Sequence, residues 1–345
     1  MYLAQWLNIS HSLIQAPMAG VQGSRLAMAV CQAGALGSLP AAMLSATALQ
    51  QELETMRALG ERPYNLNFFC HQPPREDAQQ QADWQAVLAP YYQEMGVAPP
   101  VSSGPGRTPF NQETADIVSR YRPAVVSFHF GLPAAPLLAQ VKAAGCKVLS
   151  SATTVAEARW LQANGADAII AQGLEAGGHR GMFLGMDLDS QLGSLALLPQ
   201  IIAAVDVPVI AAGGIADANG VTAAMRLGAA GVQVGTAYLL CDEADTTALH
   251  RAALASARRE HTALTTLFTG RPARGIVNRV MQELGPRPAA VPAFPLATAA
   301  IAPLRAAAEV QGRDDFTPLW CGQNASGCRA VPAAQLTREL AAGLA

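Results

Sequence analysis

Residues 165–181 read Gly-Ala-Asp-Ala-Ile-Ile-Ala-Gln-Gly-Leu-Glu-Ala-Gly-Gly-His-Arg-Gly: an apolar run, Ala168 to Ala171, passes directly into a loop with four glycines between Gln172 and Gly181. A short apolar run with helical patterns on either side is the mark of a strand buried on both faces, as in a parallel sheet. The glycines need another explanation. Each costs backbone entropy and fills no core volume, so their clustering points to backbone that comes close to something bound. The same loop holds one titratable ring, His179, one cation, Arg180, and one carboxylate, Glu175. This is a compact set for a catalytic loop beside a strand end.

Working outward, the strand and helix patterns repeat. Strands are expected at Leu13 to Gly20, Gly34 to Leu39, Tyr64 to Phe69, Ala124 to His129, Lys147 to Ser151, Asp167 to Gln172, Pro208 to Ala212 and Gly231 to Gly235. Helical periodicity falls between them: roughly Arg25 to Ala33, Thr47 to Leu59 with Thr47 as its cap, Glu76 to Met95, Asn111 to Tyr121, a helix through Ala144, Val155 to Asn164, Leu195 to Val205, and Asp217 to Leu227. Pro99 to Pro109 is a Pro/Gly-rich connection. Eight strands alternating with helices over residues 1–240 predict an α/β chain of the (β/α)8 TIM-barrel class. A doubly wound sheet is the competing arrangement. The barrel is favoured because polar or glycine signatures end both early and late strands, and closure gathers all of them at one face. Residues 241–315 are alanine-rich with Pro breaks and are expected to form a helical accessory domain over the barrel mouth. Residues 316–345 are expected to be a loop around Trp320 to Asn324 and a helix, Pro332 to Leu344, returning to the barrel.

Composition removes several function classes. Half of the residues are apolar and 14% are charged, which suits an extensively buried sheet rather than disorder. The net charge of -2, with no basic run, leaves no electrostatic footprint for nucleic acid or an anionic membrane surface. The apolar region from Leu195 to Ala212 is broken by Pro199, Gln200, Asp206 and Pro208, so it is not expected to span a bilayer. The N-terminus lacks the pattern of a secretory signal. Six cysteines are scattered with no Cys-x-x-Cys pair, so they read as reduced thiols of a cytoplasmic protein.

Two further strand ends carry chemistry. Ala212-Gly213-Gly214-Ile215 and Gln233-Val234-Gly235-Thr236 sit after the seventh and eighth expected strands, where barrels commonly hold a phosphate on glycine backbone N–H groups and helix N-termini. The plainer alternative is two tight turns. Gly-x-Gly-x-x-Gly is absent at the first strand, so a dinucleotide fingerprint is not present. A phosphate-bearing cofactor inside a barrel mouth is the better match, and flavin mononucleotide (FMN) answers that description. Asn67 and Gln172 end strands and could read the edge of an isoalloxazine by amide hydrogen bonds, or could simply satisfy barrel backbone. His179 suits proton abstraction, or stabilisation of an anionic substrate when protonated. His129 either lines the same pocket or is a satisfied core histidine, and Glu175 and Arg180 are expected to brace the loop, as an ion pair or by hydrogen bonds. No metal-ligand spacing appears. Asp187-Leu188-Asp189 lacks further ligands and reads as a solvated turn.

Taken together, Gln15 to Gly20, Gly173 to Gly181, Ala211 to Ile215 and Gln233 to Thr236 resemble the motifs of the nitronate monooxygenases, formerly 2-nitropropane dioxygenases, of class I. The likeness covers essentially the whole chain, and the Gly173 to Gly181 motif is its specific part. It implies an FMN enzyme that oxidises alkyl nitronates, propionate 3-nitronate above all, with molecular oxygen to a carbonyl product and nitrite. It further implies that Met18, Asn67, Gln172, Gly177, Gly214, Gln233, Val234, Gly235 and Thr236 bind the flavin and that His179 is the catalytic histidine. Cys70, His71 and Cys321 stand outside those motifs. A homodimer stays open. Two other functions compete: a flavin reductase fed by NADH or NADPH, of the enoyl-acyl-carrier-protein or quinone type, and a non-catalytic flavin or phosphate-ligand binding protein.

Overall fold

The structure is a computed structural model and describes residues 2–75, 77–101 and 107–344. Glu76, where the third expected helix begins, and residues 102–106 of the Pro/Gly-rich connection lie outside the described residues. Eight parallel strands form one sheet: β1 (Leu13–Gln15), β2 (Ser38–Pro40), β3 (Asn65–Phe69), β4 (Val125–His129), β5 (Lys147–Ala152), β6 (Ala168–Gln172), β8 (Val209–Ala212) and β9 (Gly231–Val234). The two-residue β7 (Gly178–His179) belongs elsewhere. The order runs β1-β9-β8-β6-β5-β4-β3-β2, with β1 and β2 at its two ends. Those ends meet. Ile14 bridges Leu36, with Gln15 N donating to Leu36 O at 3.0 Å and Leu36 N to Leu13 O at 2.9 Å. That closure makes the sheet a barrel and rules out the doubly wound alternative.

Strand alternation builds two layers of core. Ala168 and Ile170 join Ile14, Leu36, Val125, Leu149 and Ile210 in the barrel interior, together with Leu3 and Leu7 of a short N-terminal helix. Ile169 and Ala171 point the other way and pack under the outer helices, with Leu197, Ile201 and Val221. The helices between strands follow from 3.6-residue periodicity and local caps. Asp217 caps Ala218–Arg226 and Asn111 forms a capping box with Thr114 on Gln112–Tyr121. Ser45, rather than the expected Thr47, caps Ala46–Met56: its hydroxyl accepts from Ala48 N at 3.2 Å, because the chain turns out of extended conformation two residues earlier. The C-terminal helix Ala333–Ala341 packs between Ser24–Gln32 and Ala218–Arg226, with Leu336 and Leu340 in the barrel's outer core.

The helical accessory segment expected at residues 241–315 also contains strands. Thr262–Thr265 (β10) and Ala273–Ile276 (β11) form an antiparallel hairpin, and β11 pairs in turn with β7. Alanine content favours helix locally, but pairing with the edge of the glycine loop satisfies more backbone groups. The body above the barrel also recruits the helix Ala78–Met95 from the insertion after β3. Its Trp84, Leu88, Tyr91 and Tyr92 pack with Ile301, Leu304 and Phe316, and Trp84 Nε1 and Tyr92 Oη donate to Ala297 O and Ala300 O. Among the described residues no helix is long and apolar enough to cross a membrane.

Candidate active site

A cavity of about 250 Å³ opens at the carboxyl ends of the barrel strands and is roofed by the second body. Residues 16–21 after β1, Asn67 and Phe69, His129, Ser151, Gln172, residues 212–215, and Gln233, Gly235 and Thr236 line it from below; His250, Arg305, Pro318 and Trp320 line it from above. Thus the structure brings Met18, Asn67, Gln172, Gly177, His179, Gly214, Gln233, Gly235 and Thr236 around one space. Val234 is the exception. Strand alternation turns its side chain into the apolar barrel wall, 1% exposed, and its carbonyl is taken by Ala16 N at 2.8 Å.

The glycine loop is braced from inside. Arg180 is fully buried and donates to Gly173 O at 2.6 Å, to Gln172 O at 2.8 Å and to Gln191 Oε1 at 3.0 and 3.1 Å. Glu175 accepts from Ser194 N and Oγ at 2.8–2.9 Å. The two charged groups therefore hold the loop separately by hydrogen bonds and do not pair with each other. Gln172 ties strand to loop as well: its Nε2 donates to His179 O at 3.0 Å and its Oε1 accepts from Gly181 N at 2.8 Å. Asn67 Nδ2 donates to Ser127 O and Oγ at 3.2 and 2.9 Å. Both amides satisfy the protein and face the cavity, so the two sequence readings of them are compatible.

His179 is presented by β7, opposite Ala273 of β11. Its carbonyl accepts from Gln172 Nε2 and from His129 Nε2, the latter at 3.1 Å, and its ring Nε2 lies 2.9 Å from Thr269 Oγ1. Phe294, Trp320, Phe130 and Phe69 surround the ring at centroid distances of 5.4, 5.6, 6.0 and 6.1 Å. Burial first, then the charges of Arg107, His129 and Arg271, hold its pKa well below the ordinary 6.5. His129 is half-buried beside it, and loss of solvation pushes it down to about 3. A carbonyl can only accept, so His129 carries its proton on Nε2, and Nδ1 faces Ser151 Oγ at 3.1 Å. His129 is thus both pocket wall and satisfied histidine.

The glycines of the expected phosphate cradle sit where side chains are resisted. Gly213 (φ +110°) and Gly214 (φ +74°) adopt left-handed backbone that side chains resist, and a Cβ on Gly177 would lie 2.6 Å from Gly322 N. Thr236 Oγ1 accepts from Gly322 N at 3.0 Å at the same edge. Gln233 Oε1 is buried with no partner among the described residues. An orphaned buried acceptor at a strand end, beside glycines no side chain can replace, fits a hydrogen-bonding ligand such as a flavin.

Sequence reasoning missed several contributors. Gln22 Oε1 accepts from Met18 N at 3.1 Å and from Gln15 Nε2 at 2.6 Å, fixing the loop after β1. Gln15 carried the same signal as Asn67, a polar residue inside a buried strand. Thr269, His250, Phe294 and Trp320 carried no local signal. His250 nevertheless lines the cavity, is 4% exposed, has an Nε2 without a partner among the described residues and is pushed down to about 4 by burial. Cys70, His71 and Cys321 are not among the lining residues, and burial raises the Cys321 thiol to about 12.

A closed β/α barrel that holds a neutral, ring-enclosed histidine against a glycine cradle is the architecture of a flavin-dependent oxidoreductase. The family model described as nitronate monooxygenase matches residues 2–343, and the chain belongs to that family. It is 41% identical to the nitronate monooxygenase of Paraburkholderia phytofirmans over 97% of this chain and 92% of that protein. It is also 41% identical to the nitronate monooxygenase of Pseudomonas aeruginosa, over 97% and 96%. The crystal structure of the nitroalkane oxidase of Streptomyces ansochromogenes superposes with a TM-score of 0.91 at 38% identity, covering 99% of this chain and 97% of that one.

Proposed function

We propose that the chain oxidises alkyl nitronates of the propionate 3-nitronate type with molecular oxygen, releasing a carbonyl compound and nitrite, and that its flavin is FMN. The observation that carries this reading is the half-buried His179, ringed by aromatic side chains, lining one cavity with Gly213, Gly214, Gly235, Thr236 and Gln233, whose Oε1 is buried without a partner among the described residues. Met18, Asn67, Gln172, Gly177, Gly214, Gln233, Gly235 and Thr236 would hold the FMN, with Val234 contributing backbone only. When bound, FMN supplies the electron acceptor between nitronate and oxygen. The chain's own residues do the rest. Gln172 and His129 fix the backbone of His179 through its carbonyl, and Phe69, Phe130, Phe294 and Trp320 pack around its ring and leave it open to the cavity. A nitronate arrives already ionised and needs no base; on a neutral nitroalkane the ring takes the α-proton. Arg107, which lines the cavity, favours an anion there.

The decisive experiment mixes the purified holoenzyme anaerobically with propionate 3-nitronate and, separately, with NADH and NADPH, while the flavin absorbance is followed. Rapid loss of the oxidised spectrum with the nitronate and none with either nicotinamide is expected. Fast bleaching by a nicotinamide with a silent nitronate points to a reductase instead, and a protein that binds no flavin removes both. His179→Ala is expected to keep its flavin while turnover of a neutral nitroalkane falls by about 10²-fold or more.

A further inference from the structure

Thr269 occupies the turn between β10 and β11 and is 3% exposed. Its position is tightly set. Thr269 N and Gly270 N both donate to Thr266 O, at 3.3 and 2.7 Å, and Gly270 takes φ +86° where a Cβ would sit 2.1 Å from Pro292 O. The hairpin that carries this turn is also the partner of the catalytic loop. Ala273 pairs with His179, and Arg180 N donates to Pro272 O at 2.9 Å. One rigid element therefore grips the backbone of His179 and places a hydroxyl on its ring.

The direction of that ring contact follows from counting donors. A threonine hydroxyl has one proton and two lone pairs. Thr269 Oγ1 has two polar neighbours, His179 Nε2 at 2.9 Å and Arg271 O at 3.4 Å. The Arg271 carbonyl can only accept, and no other donor reaches it among the described residues. If the hydroxyl donates to that carbonyl, its lone pair accepts from His179 Nε2–H, and every group is satisfied. The reverse arrangement makes one bond instead of two and leaves the Arg271 carbonyl without a partner among the described residues. His179 Nδ1 makes no hydrogen bond to the described residues, is not sealed off, and belongs to a ring that lines the cavity.

We propose that Thr269 is a positioning residue that holds His179 as its Nε2–H tautomer, so that the bare Nδ1 is the atom that takes the α-proton of a neutral nitroalkane. In that step the substrate C–H bond breaks, its electron pair enters the C=N bond of the nitronate, and the proton forms a new N–H bond at Nδ1. Nε2–H stays bonded to Thr269 Oγ1, whose lone pair stabilises the ring as it becomes cationic. The assignment rests on the nitronate-oxidising reading only for its substrate; the tautomer stands on the hydrogen bonds alone. A substrate supplied as the nitronate does not need the base and should be indifferent to Thr269.

The test uses the holoenzyme in three forms: the natural protein, Thr269→Val and Thr269→Ser. With nitroethane, Thr269→Val is expected to lose about ten-fold or more in kcat/KM while Thr269→Ser keeps it; with ethyl nitronate both should stay within about two-fold of the natural protein. Ring ¹⁵N spectra of histidine-labelled protein, assigned by loss of a signal in His179→Asn, should show the Nε2–H form of His179 in the natural protein and a mixture in Thr269→Val. A predominantly Nδ1–H ring in the natural protein overturns the proposal. So does an equal loss on both substrates in a flavin-loaded Thr269→Val, which is what a merely structural role predicts. If the natural protein is inert toward ethyl nitronate, the nitronate reading fails instead, and the ¹⁵N spectrum still decides the tautomer.

Discussion

At the scale of single residues, the site is built from groups whose bonding is either complete or conspicuously open. Arg180 is complete: with no carboxylate among the described residues within salt-bridge reach, its guanidinium answers two backbone carbonyls and Gln191 in a fully buried place. Arg180→Met is expected to cost at least about 2 kcal/mol, since it strands those buried acceptors, and a lowered urea midpoint would show it. Gln233 is open. Its Oε1 has no partner, a state that costs about 1–3 kcal/mol unless something fills it. Gln233→Leu should therefore leave the flavin-free chain as stable as before or more so, while flavin affinity drops by about ten-fold. Titration of the apoprotein by fluorescence quenching measures this, and an unchanged affinity would remove Gln233 from the cofactor site.

Among elements, the glycine loop and the β10–β11 hairpin act as one unit, and the glycines within it are not equivalent. A Cβ on Gly177 would meet backbone, Gly322 N at 2.6 Å and Cys321 C at 2.7 Å, which no rotamer change can relieve. Gly177→Ala is expected to cost about 1–3 kcal/mol and to displace the Cys321-Gly322 strap, weakening flavin binding with it. At Gly178 the space is open, and only its φ of +69° resists a side chain. Gly178→Ala should cost about 1 kcal/mol and spare the strap. Parallel melting curves of the two flavin-loaded variants separate overlap from backbone strain; equal losses would contradict the distinction.

For the whole molecule, burying histidines uncharged links the fold to acidity. His129 and His250 are held down to about 3 and about 4 mainly by burial, whereas in an unfolded chain each binds its proton near pH 6.5. The unfolded state then takes up more protons as pH falls, so their contribution is complete above about pH 6.5. Below it, stability is lost by up to about 1.4 kcal/mol per pH unit for each ring. His179 acts in the same sense. Urea midpoints at pH 7.5 and 5.5 should differ accordingly, and His250→Gln should shrink the difference; a midpoint that does not move would contradict this. How far the molecule was readable in advance depends on the range of the forces involved. The strand and helix beat, the glycine loop around His179 and the cradle residues Gly214, Gly235 and Thr236 are local patterns, because periodicity and left-handed backbone are properties of neighbours in sequence. Closure through Ile14 and Leu36, the exchange of core between Trp84 and Leu304, the inward seat of His250, the outward turn of Val234 and the meeting of Thr269 with His179 join residues far apart along the chain. The sequence by itself determined the barrel and the glycine loop around His179. Only the tertiary structure decided which distant groups close over that loop, because those contacts form once burial and edge pairing outweigh the local helical preference of an alanine-rich segment.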